Sequence, residues 1–117
     1  MFIALVIATV LLAFLAVNSA AMKLRQNEQV VTSIHKTVGV PMRYIPVLAA
    51  LEVAGAIGIV AGLWLEPLGI AAAAGLTAYF LGAMGGHLRV GDTKGLAMPL
   101  VPLVLSVAVL VLRIVTA

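Results

Sequence analysis

Four long stretches of this chain carry almost no charge, and that pattern removes most folds from consideration. Residues 2–22 form the first, 44–65 the second with a single charge at Glu52, 68–87 the third with none except on His87, and 96–113 the fourth, ending at Arg113. An α-helix rises 1.5 Å per residue, so a run of about 20 residues crosses the roughly 30 Å of a bilayer's hydrocarbon core. In that medium the backbone must satisfy its own hydrogen bonds, and an α-helix does so within one segment. Charged residues make up 9% of the chain, against about 25% in soluble domains. The expectation is an all-α, membrane-embedded four-helix bundle, a single domain over residues 1–117, leaving no room for a soluble catalytic domain.

The joints are short and polar. Residues 23–43 carry Lys23, Arg25, Lys36, Arg43 and Glu28, with a Gly39-Val40-Pro41 breaker. Val30, Val31, Ile34 and Val38 recur there at near-helical spacing, which predicts an amphipathic connector at the membrane face, with a short interfacial helix as its ordered form. Glu66-Pro67 closes the second span, and Pro67 suits the first turn of the next helix, so the second and third spans should form an antiparallel hairpin. Gly91-Asp92 and Lys94 make the last polar turn. The fourth helix should begin or bend near Pro99, since proline is tolerated best in a first turn. A cleavable signal peptide competes for residues 2–22 because Ser19-Ala20-Ala21 are small, but no basic residue precedes the apolar run.

Charge placement predicts orientation. Lys23, Arg25, Lys36, Arg43, Arg89 and Lys94 fall on one side of the spans and Arg113 on the other. By the positive-inside rule the first side is cytoplasmic and both termini lie on the non-cytoplasmic side of a bacterial inner membrane. The net charge of +3 therefore reads as an orientation signal, with the lipid bilayer rather than nucleic acid as the partner. Cysteine is absent, which excludes disulfides, thiolate metal sites and cysteine nucleophiles, so any redox role needs electrons from a bound cofactor or partner. No phosphate-binding, dinucleotide, zinc-protease or nucleophile-elbow motif occurs, and no residue pattern assigns a catalysed reaction. A bis-histidine haem would require His35, in the polar connector, to reach His87. No metal site is expected and no cofactor is evident.

The polar residues at depth are the candidate site. Glu52 lies about eight residues into its span, where it must be paired, hydrated or neutral. Gly55, Ile59 and Gly62 share its side of the helix and turn it inward. His87 and Asn18 fall at a comparable level, with Lys23 and Arg89 nearby. If functional, Glu52 and His87 form a carboxylate–imidazole pair that moves a proton or holds the polar group of an apolar ligand. The plainer alternative is that Glu52, His87, Asn18, Lys23 and Arg89 satisfy one another and fix helix register, Lys23 and Arg89 individually acting as snorkelling or orientation charges. Gly58 with Gly62, and Gly82 with Gly86, offer flat stripes for helix packing within the hairpin. The outer half of the bundle is expected to be plain apolar packing.

An ordered set of short segments carries a family resemblance: Asn18-Ser19-Ala20-Ala21-Met22-Lys23-Leu24, Gly39-Val40-Pro41, Leu51-Glu52-Val53-Ala54-Gly55-Ala56 with Gly58, Gly82-Ala83, His87-Leu88-Arg89 and Gly91-Asp92. Together they resemble the DoxX-like membrane family. That resemblance implies a compact four-helix membrane bundle and points to Lys23, Glu52, His87 and Arg89 as its characteristic polar positions. Relatives are linked to thiosulfate oxidation with quinone as acceptor, to membrane complexes handling oxidative stress, and to receptor-assembly chaperones. Nothing in these residues identifies thiosulfate chemistry.

Three functions follow as expectations. The leading one is binding of an apolar molecule, a quinone or lipid-like metabolite, in a cytoplasm-facing pocket around Glu52 and His87, in a redox or stress setting. The second is a structural or assembly subunit whose glycine faces dock another membrane protein or a second copy of the chain. The third is a proton-coupled transporter of a small solute, for which four spans would have to dimerise.

Overall fold

The apolar runs fold as helices whose ends are set by prolines, glycines and tight turns. A computed structural model describes residues 2–26 and 28–116, the side chains of Gln29, Ser33 and Met98 excepted. Helix α1 is Phe2–Leu24, and its buried positions Leu5, Ala8, Thr9, Leu12, Ala16, Ala20 and Lys23 recur every three to four residues, the spacing of one helix face. A short α2, Glu28–Val31, runs into a π-helical turn, Thr32–Val38, and a 3-10 turn at Met42–Tyr44 leads into α3, Ile45–Ala61. Helix α4 is Glu66–Arg89, with Pro67 in its first turn. A second 3-10 turn, Lys94–Leu96, leads into α5, Ala97–Val115.

The four long helices form a ring: α1 packs against α3 and α5, and α4 packs against the same two helices. Leu5, Leu12, Ile59, Leu76, Phe80 and Val109 meet in its core. The outward surface is as apolar as the core, with Phe14 67%, Ile57 65%, Leu81 55% and Val104 58% exposed, one from each long helix. Such a surface belongs in lipid, and all four helices are long and apolar enough to cross a membrane. The 41 Å long axis matches a bilayer of about 40–45 Å with its headgroup zones.

The structure shifts several boundaries. The second span ends as a helix at Ala61 rather than near Leu65, because the Leu63 and Trp64 N–H groups bond back to Val60 and Ala61 and tighten the chain into a turn. Helix α5 starts at Ala97, which puts Pro99 in the first turn, where no N–H is required. Pro102 lies inside the helix. The connector is the helical form of the amphipathic segment. Its Val30 is buried, Gly39 closes it in the left-handed region at φ 94°, and the His35 Nδ1 sits 2.8 Å from the Val40 carbonyl. His35 is thus engaged inside the connector.

The two glycine stripes behave differently. A Cβ on Gly62 would stand 2.6 Å from the Gly69 backbone nitrogen, and one on Gly58 would meet the Ala72 side chain at 2.6 Å, so α3 and α4 approach with backbone against backbone. The expected second stripe is not a hairpin contact. Gly82 has nothing within 4 Å of a built Cβ, and Gly86 faces Val38 of the connector at 3.0 Å. The register of α4 turns Gly69, Ala73, Leu76 and Phe80 inward and leaves Gly82 outside. Gly62→Ala should therefore lower stability by about 1–3 kcal/mol through overpacking, whereas Gly82→Ala should be neutral or raise it by up to about 1 kcal/mol through helix propensity. Reversible unfolding of both variants in mild detergent measures the difference.

Candidate functional site

Glu52 shares the inward face of α3 with Ala49, Ala56 and Ile59 and is 0% exposed. Its partners come from α1, where Ser19 and Lys23 are one turn apart and so lie on the same side of the helix. The Lys23 ammonium donates to Glu52 Oε1 at 2.6 Å and to the Ser19 hydroxyl at 2.7 Å. Ser19 in turn donates to the same Oε1 at 3.3 Å. Both members of the ion pair are buried. Away from water the mutual attraction is strong only while both charges remain, and removing one leaves the other stranded.

The second carboxylate oxygen is different. Among the described residues Glu52 Oε2 accepts no hydrogen bond of ordinary length and angle. From α4, Tyr79 is half-buried and contributes a phenol to the neighbouring groove. Tyr79 is braced by the edge-on ring of Phe80, with centroids 5.1 Å apart and planes at 84°. It also stands on the wall of a groove of about 510 Å³ between α3 and α4, whose lining includes Leu51, Gly55, Gly58, Gly75 and Leu76. Gly75 opens it, since a Cβ there meets no atom within 4 Å, whereas the space beside Gly55 and Gly58 is filled by Leu76 and Ala72. It opens outward, since Gly75 is exposed and Leu51 is half exposed. An apolar trough facing the lipid thus runs past a single tyrosine.

The remaining predicted residues lie elsewhere. His87 is buried near the end of α4, but its Nδ1 meets Asp92 Oδ2 at 2.8 Å; the expected Glu52–His87 pair is replaced by two separate pairs. His87 lies eight residues beyond Tyr79 of the groove wall, about 12 Å along a helix. Asn18 is exposed, and its amide reaches only the Met22 sulfur one turn on, at 3.8 Å. Arg89 is exposed and donates to the Val38 carbonyl at 2.9 Å, strapping the connector to α4. Among the described residues no cluster of three His, Asp or Glu is placed to hold a metal.

Asp92 ties the polar end together. Its Oδ1 accepts the Gly95 N–H at 3.1 Å while Oδ2 holds His87. A Cβ on Gly95 would stand 2.5 Å from His87 Nδ1, so only glycine leaves room for this contact. The hydrogen bond with His87, helped by the Gly95 N–H, holds the Asp92 carboxyl below its usual range. At the opposite end the expectation of plain apolar packing fails. Arg113 is buried and donates to the Gly62 carbonyl at 3.1 Å, placing a cation on the C-terminal end of α3, where the helix dipole favours it. Its aliphatic Cδ packs over Gly69.

Two site residues were hard to see in the sequence. Tyr79 sits in an apolar run and looks like core; its signal is its place beside Leu76 and Phe80 on the buried side of α4. Ser19 precedes Lys23 by one turn, and its place on the inward face is the part that needs the helix register. Extending the buried positions Leu5, Thr9, Leu12 and Ala16 of α1 by helical steps reaches Ser19 and Lys23 and bypasses Asn18.

Two measurements check this geometry. Lys23→Met should cost about 3–5 kcal/mol by stranding the Glu52 carboxylate, and most of that should return in Lys23→Met/Glu52→Leu, where neither charge is buried; detergent unfolding of the three proteins gives the comparison. For Asp92, a lowered carboxyl pKa means the contribution is fully present above the ordinary value of 3.8 and is lost as pH falls through the lower folded value. The Gly95 amide resonance should titrate with a midpoint below 3.8, and Asp92→Asn should abolish that titration.

No curated protein and no solved structure matches this chain. A family comparison does, aligning residues 7–109 with the DoxX-like family. That alignment reaches part or all of each of the four membrane helices and includes the Lys23–Glu52 pair and the Tyr79 groove, and the chain is a membrane protein that belongs to the DoxX-like family.

Proposed function

We propose that this protein holds an elongated apolar molecule, a quinone or lipid-like metabolite, in the groove between α3 and α4, with the molecule's polar end at Tyr79 and Glu52. The observation that carries this reading is an outward-open apolar groove whose one polar wall residue is Tyr79. Apolar pockets with a few convergent polar groups are the usual form of small-molecule sites, and a carboxylate buried among membrane helices is costly unless it serves a purpose. Lys23 and Ser19 complete the polar end, while His87 and Arg89 shape the turn and connector beside it. The excess of Lys and Arg at that end supports a cytoplasmic orientation for it, with both termini outside and the inner membrane of a bacterium as the location. The redox or stress setting is the one the family resemblance implies.

The test is mass spectrometry of small molecules that co-purify with the protein. Wild type should retain an apolar species that Gly75→Leu loses, because the leucine fills the groove, while a Cβ at Gly75 meets no atom within 4 Å and the fold should persist. Equal retention by the folded variant would remove the groove from the reading.

A second reading has one observation in its favour. Ala71, Ala74, Ala78, Gly82 and Gly85 are exposed on the outer side of α4, and small residues there allow another helix to approach closely. This supports a subunit that docks a membrane partner. A stoichiometric partner that survives mild-detergent isolation and is lost on Gly82→Leu is its expected signature.

A further inference from the structure

Arg113 carries more hydrogen-bonding capacity than the bundle uses. A guanidinium presents several N–H donors in one rigid plane and stays protonated, and burying such a charge is costly unless it is paired. Arg113 is 9% exposed. Among the described residues it forms no ion pair, with Glu66 in the first turn of α4 or with any other acid. Lys23, buried to a similar degree, is matched by a carboxylate. The hydrogen bond that Arg113 does make runs from Nη1 to the Gly62 carbonyl, and Nε is buried with no partner among the described residues.

The unused donors share one edge of the plane. Nη1 lies on the Cδ side of the guanidinium, so engaging it on Gly62 leaves Nε–H and Nη2–H pointing the same way along the opposite edge. Of these, Nε is the enclosed one, and Nη2 keeps contact with the surface. Such an edge takes two oxygens of one carboxylate or phosphate side by side. Its orientation is fixed beforehand, because Nη1 is anchored and the Cδ stands 3.2 Å from where a Cβ on Gly69 would lie. Capping α3 accounts for Nη1 alone, and a lysine would cap the same carbonyl.

We infer that the free edge of Arg113 binds an oxyanion, a phosphate or carboxylate group, at the end of the bundle away from the connector. The anion pairs a cation that the chain leaves uncompensated and accepts from both idle donors. Arg113 does not line the groove between α3 and α4, so this site stands or falls separately from the groove reading. A lipid headgroup and a soluble anion both offer the chemistry. Trp64 lies two residues beyond Gly62 and is 78% exposed; an indole so placed suits the headgroup zone, where lipid phosphates are found.

Trp64 is the chain's only tryptophan, so its emission reports on this end of the intact protein. In detergent micelles, phosphatidylglycerol is compared with diacylglycerol of the same acyl chains, and inorganic phosphate with chloride at constant ionic strength. A headgroup source predicts half-saturation of the Trp64 response at about tenfold less phosphatidylglycerol than diacylglycerol, the factor one charge-assisted hydrogen bond carries. A soluble source predicts a saturating response to phosphate without a lipid preference. Arg113→Lys keeps a cation for the Gly62 carbonyl but has no second edge. It should bring the lipid preference close to one, or weaken phosphate binding about tenfold, while its thermal unfolding stays near wild type. A wild type with neither a lipid preference nor a phosphate response would overturn the inference, and that arm needs no variant to fold. A preference or response undiminished in folded Arg113→Lys would overturn it too, since the anion would then bind elsewhere.

Discussion

The ion pair between Lys23 and Glu52 ties the first helix to the third in a medium that offers no hydrophobic reward for helix association. At 2.6 Å, with Ser19 on the same oxygen, it fixes the rotation of α1 and α3 about their axes, because either charge turned outward would face hydrocarbon. It also decides which face of α3 looks towards α4. Once Glu52 points inward, Gly55, Gly58 and Gly62 fall along the neighbouring side of the helix, and the α3–α4 contact inherits that register.

Missing side chains then act in two ways along one helix pair. At Gly62 and Gly69 the backbones touch, and no Cβ fits between them. On the lipid side, Gly75 leaves open space along a groove of about 510 Å³. Dispersion contacts and close backbone approach hold the first region together; the second is open for a guest. The same economy in Cβ atoms thus provides both the joint of the hairpin and the candidate binding space. Tyr79 stands where the groove meets the polar interior.

The two ends of the bundle are held by different chemistry. At one end Asp92 gathers His87 and the Gly95 amide, and Arg89 straps the connector through the Val38 carbonyl. At the other, a single buried arginine answers the Gly62 carbonyl at the end of α3. Both devices satisfy backbone or side-chain groups where chain reversals interrupt helical hydrogen bonding, which is where a membrane bundle is most exposed to unpaired polar atoms.

The sequence by itself determined the number of spans, their helical character, the hairpin at Glu66-Pro67 and the inward placement of Glu52, because each follows from local rules: span length, period and the cost of an unpaired charge in lipid. The family was legible too, from ordered short segments. Only the tertiary structure decided who pairs with whom. Glu52, His87, Asn18, Lys23 and Arg89 read alike as polar residues near one level, yet Lys23 took Glu52, His87 took Asp92, Asn18 turned outward and Arg89 went to the connector. The physical reason is that pairing depends on the relative rotation and height of separate helices, a matter of a few ångströms and tens of degrees set by close contacts such as Gly62 against Gly69. One chain's linear spacing carries no such information, and Tyr79 became part of the site for the same reason.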